Sequence, residues 1–396
     1  MKSRDRRCAF RVGAPALVAC VLGACAPESV PVTQPGDPLP GLEDRELGRF
    51  LLGRAVFERE ATPDEGLGPL YNEVRCSGCH DTPVIGGAGF TTLVTKATRW
   101  ENGRCDPLMD AGGDNIQQRA TPMLARHGIL REEIPARANA QATVTAPALF
   151  GLGLIERIPD AAIASRADPD DGDGDGISGR VAWAGSAAGR IGRKGELVTV
   201  ADFIDTALRF ELGLTTPMHR VEETVNGRPL PEGVDPLPEP EIEQNGIELL
   251  TDFVRFLAPP PGAAPASPAH ADTVRRGEGL FGETGCSACH TPELRTDRTA
   301  LAALDRKPVR LYSDLLLHDM GPGLADVCGG EASPAEWMTA KLWGLRYRTR
   351  LMHDGRATDM EQAIALHDGE AASAKAAFAA LTATDRAALL RFLESL

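Results

Sequence analysis

The chain has 396 residues, with 42 Lys and Arg against 56 Asp and Glu and a formal net charge of -14. That length allows two or three domains of ordinary size. The acidic balance argues against nucleic-acid binding, which needs a basic footprint to displace phosphate counterions, and it suits a solvated surface, a small oxidant or a basic redox protein.

At the start, Lys2, Arg4, Arg6, Arg7 and Arg11 precede an apolar run from Val12 to Ala24. This is the pattern of an export signal, too short to span a bilayer. The run ends in Leu22-Gly23-Ala24-Cys25, which resembles the bacterial lipobox and implies a lipidated Cys25, with Ala26 favouring the outer membrane. Leu17-Val18-Ala19-Cys20 fits the same pattern, but a cut there leaves only eight apolar residues. Residues 1–25 are therefore read as a lipoprotein signal peptide and the Pro-rich stretch 26–41 as a tether. The body is expected to face the periplasm from a lipid anchor in the outer membrane.

The rest contains two unequal copies of one helical unit. RFLLGRAVFERE (49–60) precedes RCSGCH (75–80), and TVRRGEGLF (273–281) precedes GCSACH (285–290). In each, a Gly and a Phe four residues later (Gly53 and Phe57, Gly277 and Phe281) share a helical face. TAPALFGLGLIERIPD (145–160) answers TAKLWGLRYRTRLMHD (339–354), and each copy closes on an amphipathic helix, IELLTDFVRFL (247–257) or DRAALLRFLESL (385–396). Thr382 and Asp385 have capping-box spacing before the last of these. The predicted fold is mainly α: two tandem cytochrome c-like domains with long loops, each packed on a covalently bound haem. The first, with a calcium loop, spans 42–258, a Pro-rich linker spans 259–270, and the second spans 271–396.

C-x-x-C-H is the pattern of c-type haem attachment, because two thiols two residues apart reach both vinyl groups while the next His is carried to the iron. Cys76, Cys79 and His80 form one such site and Cys286, Cys289 and His290 the other. A filled sixth position favours electron transfer, whereas an open one admits an oxidant. His367 lies fourteen residues after His353 and is the expected sixth ligand of the second haem, with Met320 ranked below it and His318 as a neighbour bonding a haem propionate. The repeat places Asp173 opposite His367, which leaves His127, His219 and Met218 as candidates for the first haem. Of nine cysteines, three lie in the signal region and four in the haem motifs, leaving Cys105 and Cys328 as either a disulfide or two separate thiols.

DPDDGDGDGISGR (168–180) contains Asp171-x-Asp173-x-Asp175-Gly176, alternating carboxylates that can converge on Ca²⁺, with Asp168 and Asp170 as lesser ligands. An EF-hand would carry Glu at the twelfth position, where this chain has Ala182.

Together, RCSGCH, LFGLGLIERIPDAAI, ADPDDGDGDGISGR, GCSACH, YSDLLLHDMG, LWGL, LMHDGRA and ALHDGEA resemble the bacterial di-haem oxidoreductase family. Its members are described as peroxidases or thiol oxidoreductases and form a distant branch of the di-haem cytochrome c peroxidase superfamily. The resemblance implies hydrogen peroxide or another small oxidant at the first haem, electrons from a periplasmic donor protein through the second, and calcium between the domains. Better-known members have Met or Tyr where this chain has His367, which implies a bis-His centre. Their first-copy Phe-Trp-Asp-Gly-Arg motif is replaced by Arg157-Ile158-Pro159-Asp160, so their inter-haem Trp has no counterpart there, and Trp100 or Trp343 is the substitute. Glu156 and Gln141, near the matching segment, are candidate catalytic groups at the first haem. The rival readings are an electron-transfer di-haem cytochrome and an oxidase that modifies a partner protein.

Overall fold

A computed structural model describes residues 33–396. The signal segment and Cys25 lie outside the described residues. No helix among the described residues is long and apolar enough to cross a membrane.

Each copy is organised around one helix crossing. Asp44–Glu58 packs on Gln244–Phe256, and Pro268–Glu283 packs on Ala383–Ser395. Glycine permits both contacts: a Cβ on Gly53 would stand 2.0 Å from the Leu249 carbonyl oxygen, and one on Gly277 would stand 2.0 Å from that of Ala388. One turn later, Phe57 meets Phe253 at 4.8 Å between ring centroids, and Phe281 meets Phe392 at 5.3 Å. Both phenyl rings also lie 6.3 Å from the imidazole of their own haem motif, His80 or His290.

Local chemistry sets the helix ends. The Thr382 hydroxyl accepts from the Asp385 N–H at 3.2 Å, one half of the expected box. Pro268 occupies the first turn of its helix, where its missing N–H costs nothing, and Ser267 caps it, so this helix begins inside the expected linker. Gly151 and Gly344, at matching places in the two copies, both take left-handed φ values, 72° and 68°. Their N–H groups donate to the carbonyls of Leu257 (3.0 Å) and Leu396 (3.1 Å), each just past its helix.

The described residues are 33% helix and 15% strand, which departs from the mainly α expectation. The strand Gly89–Glu101 pairs antiparallel with Arg104–Asp106, Asn115–Ile116 and Ala140–Ala146. Its Thr-rich sequence has strand propensity, but its buried positions do not alternate cleanly, so period-two reading misses it.

The largest apolar cluster joins Phe50, Phe57, Ile155 and Phe253 of the first copy to Leu304, Leu311, Leu316 and Trp343 of the second. A smaller one gathers Phe281, Tyr312, Leu345, Phe378 and Phe392. Cys105 and Cys328 form a disulfide with their Cα atoms 5.7 Å apart. The later residues assigned to the tether pack on the body: Leu39 is buried, its N–H donates to the Phe256 carbonyl at 2.7 Å, and the Ala258 N–H reaches Asp37 at 3.0 Å.

Gly53→Ala and Gly277→Ala should each cost about 1–3 kcal/mol through overpacking against backbone. Gly48→Ala, on the first helix with nothing within 4 Å of its added Cβ, is the control and should be neutral or mildly stabilising in denaturant titrations.

Candidate haem sites

In each motif the His N–H closes a turn on the first Cys carbonyl, His80 to Cys76 at 3.1 Å and His290 to Cys286 at 2.9 Å. All four motif cysteines are free thiols, and burial raises the Cys76 and Cys79 thiols to about 12. His80 Nδ1 meets the Gly87 carbonyl at 3.2 Å, and His290 Nδ1 meets that of Tyr312 at 3.0 Å. A carbonyl on Nδ1 fixes the tautomer and leaves Nε2 as the ligating atom. Burial lowers both imidazoles to about 4, so both are neutral, the form that binds metal. Free thiols beside neutral, oriented imidazoles fit a haem at each motif.

His367 has the same preparation. Its Nδ1 meets the Ala363 carbonyl at 2.8 Å, burial lowers its pKa, and it lies within electrostatic reach of His290, whose pKa a proton on it would lower. Met360 and Ile364 of the preceding helix pack on the Phe281 cluster. Met320 is half-buried, and the next residue, Gly321, abuts Asp368 and Gly369. The candidates for the first haem have different surroundings. Met218 is 79% exposed, His127 is exposed, and His219 pairs with Asp205 at 2.8 Å on the surface.

Three expected roles change. His318 is enclosed, with Nε2 on Asp314 at 3.0 Å, Nδ1 on Glu370 at 2.7 Å and Cys289 Sγ at 3.6 Å. Burial opposes its charge, but the bonds to Asp314, Cys289 and Glu370 prevail and push it up to about 12. Both ring nitrogens are taken by carboxylates, so the propionate contact is not open to it. Glu156 is not a free acid either: it is buried, pairs with Arg255 at 2.8 Å and accepts from the Val200 N–H at 3.0 Å. Although burial raises its pKa, Arg255 and Val200 hold it below the usual range. Gln141 lies exposed on a strand opposite Ala97.

A carboxylate that sequence reading missed stands closer to the first motif. The Glu211 carbonyl accepts from the N–H groups of Asn72 (2.8 Å) and Glu73 (3.1 Å), just before Cys76. Its carboxylate accepts from Asn115 Nδ2 at 2.7 Å and Asn72 Nδ2 at 3.0 Å, and its charge raises the Cys79 thiol. Burial raises the Glu211 pKa despite those amide bonds. Its one sequence signal is a lone charge within Phe210-Glu211-Leu212. Trp337 was missed too: it stacks on His353 at 4.0 Å, with Lys194 Nζ 3.5 Å from its ring centre. Of the two expected substitutes, Trp343 lies buried against Gly151, and Trp100 sits on a strand opposite Cys105.

The carboxylate oxygens of Asp171, Asp173 and Asp175 lie within 4.8 Å of one another. Downstream, the Ser178 N–H and hydroxyl both donate to Glu370 at 3.0 Å, which links this loop to His318. Glu222, Glu239 and Glu241 form a second acidic group. Burial first raises all three, Asp235 adds to it in each, and repulsion from neighbouring Glu carboxylates adds to it in Glu222 and Glu241, which leaves Glu239 and Glu241 at about 7. The native state then holds protons that the unfolded chain has released, so stability falls as pH rises through about 7. With chelator present, the melting temperature should drop from pH 6 to pH 8, and Glu222→Gln should flatten that slope and raise the pH 8 value.

The family model described as "Di-haem oxidoreductase, putative peroxidase" matches residues 138–396, a span that holds the second haem motif but not the first. No curated protein matches the sequence. Among solved structures, hydrazine synthase from Kuenenia stuttgartiensis is similar at 13% identity and TM-score 0.43, covering 97% of this chain and 100% of that one. A MauG-like protein associated with microbial copper homeostasis is similar at 16% and 0.39, covering 92% of each chain. A variant of the diheme peroxidase BthA from Burkholderia thailandensis is similar at 14% and 0.40, covering 92% of this chain and 89% of that one.

Proposed function

Since the chain belongs to the di-haem oxidoreductase family, we propose that it is a peroxidase-type di-haem c oxidoreductase, reducing hydrogen peroxide at the haem of His80 with electrons received through the haem of His290 and His367. The reading rests on the inequality of the two motifs. His290 has a second oriented imidazole, that of His367, within electrostatic reach, whereas the repeat gives the first motif only Asp173, in an exposed loop. Haem iron supplies one-electron redox chemistry and, where a coordination position is open, a place for the oxidant.

The chain supplies orientation and protons. Cys76, Cys79, Cys286 and Cys289 would hold the groups covalently, and the carbonyls of Gly87, Tyr312 and Ala363 aim the three imidazoles. Peroxide reduction to two waters consumes two electrons and two protons. Glu211, with its raised pKa and its two amide donors, is placed to hold and release one of those protons beside the first motif. Ca²⁺ on Asp171, Asp173 and Asp175 would fix the loop whose Ser178 bonds Glu370. The Cys105–Cys328 disulfide supports an oxidising compartment, in keeping with an exported protein anchored through Cys25 and served by a periplasmic donor.

Electron paramagnetic resonance of the oxidised protein should show one high-spin and one low-spin haem, and two low-spin signals would favour an electron-transfer cytochrome. His367→Ala should convert the low-spin signal to high-spin with haem content unchanged. In steady-state assays, Glu211→Gln should lower peroxide turnover roughly 10²–10⁴-fold at unchanged haem content.

A further inference from the structure

Three half-buried cationic side chains lie near enough, where the two copies join, for their charges to repel, and the protein gives them few partners. Arg193 Nη2 donates to the Thr145 carbonyl at 2.7 Å and to its hydroxyl at 3.0 Å. Arg348 Nη2 donates to the carbonyls of Lys341 at 2.9 Å and Trp343 at 3.4 Å. Each guanidinium has five N–H donors, so most stay unspent. Among the described residues, no carboxylate lies within 4.0 Å of Arg193, Lys341 or Arg348. The acids that act on Arg193 from farther away are engaged elsewhere: Asp326 with His353, Asp354 with Arg356, and Glu196 with the Lys194 N–H. Burial lowers Arg193 and Arg348 to about 10, and burial with repulsion from both guanidiniums lowers Lys341 to about 8. Crowded, half-buried positive charge in a chain of net charge -14 calls for an anion.

We propose that Arg193, Lys341 and Arg348 form a seat for haem propionate carboxylates where the two copies join, an inference that rests on the di-haem reading. Thr145 leads into Pro147, whose carbonyl faces His80, while Leu345 belongs to the cluster against which both Leu342 and Cys286 pack. The seat is thus joined to each motif through a few residues of chain, by Thr145 towards His80 and by Leu342 and Leu345 towards Cys286. Guanidinium forks match carboxylates in two parallel bonds, and a cation beside a propionate favours the reduced iron.

The test is spectroelectrochemistry of the holoprotein, with haem content read by pyridine haemochrome. Arg193→Gln, Arg348→Gln and Lys341→Gln should each lower the midpoint potential of at least one haem, by about tenfold in the reduction equilibrium or 59 mV for one electron. Arg193→Lys and Arg348→Lys should recover most of the shift, and added inorganic phosphate should leave the wild-type potentials and melting temperature unchanged. Potentials that stay put in haem-replete Gln variants overturn the proposal. So does a phosphate-dependent rise in wild-type melting temperature that the variants lack, because the seat would then serve a free anion. If an Arg variant fails to fold, Lys341→Gln decides alone. Preparations without covalent haem would instead sink the di-haem reading itself.

Discussion

In each copy a helical glycine sits against a carbonyl on the crossing helix, Gly53 against Leu249 and Gly277 against Ala388. Backbone approach this close brings the next inward residue, Phe57 or Phe281, onto the facing Phe253 or Phe392. The same rings flank His80 and His290 at one distance in both copies. The crossing thus fixes where each imidazole can stand, and the loops have only to supply a carbonyl to each Nδ1. One construction serves twice, and the copies differ in what the loops bring to the far side.

What was legible in the sequence is what is local. Thiol, thiol and imidazole fall within five residues in each haem motif, and the closing helices declare themselves by period, the last also by its cap. The Gly-Phe pairs were legible because the copies repeat them. Less visible was anything decided by a partner far along the chain. Glu156 looks like a free carboxylate until Arg255 is found beside it, and His318 like a propionate donor until Glu370 and Asp314 occupy its nitrogens. The sheet escaped because its long strand is buried irregularly, and the end of the tether because Leu39 is a lone apolar residue among prolines.

Charge is distributed by burial. Exposed acids give the chain its net sign, whereas at the junction of the copies half-buried cations gather around Arg193 and Arg348, and a paired imidazolium sits against Cys289. Glu370 connects that imidazolium to Ser178, so the acidic loop and the second haem motif share one hydrogen-bonded chain. A shift of the loop would be felt at Cys289 through three contacts rather than through space.

The covalent bond between Cys105 and Cys328 spans 223 positions and encloses the exposed residues 262–267 that lead from one copy to the other. A protease that cuts there severs the polypeptide without parting its pieces. The fragments stay one molecule until a reductant reaches Cys328, which is only 2% exposed. Clipping alone would therefore not disperse the redox unit.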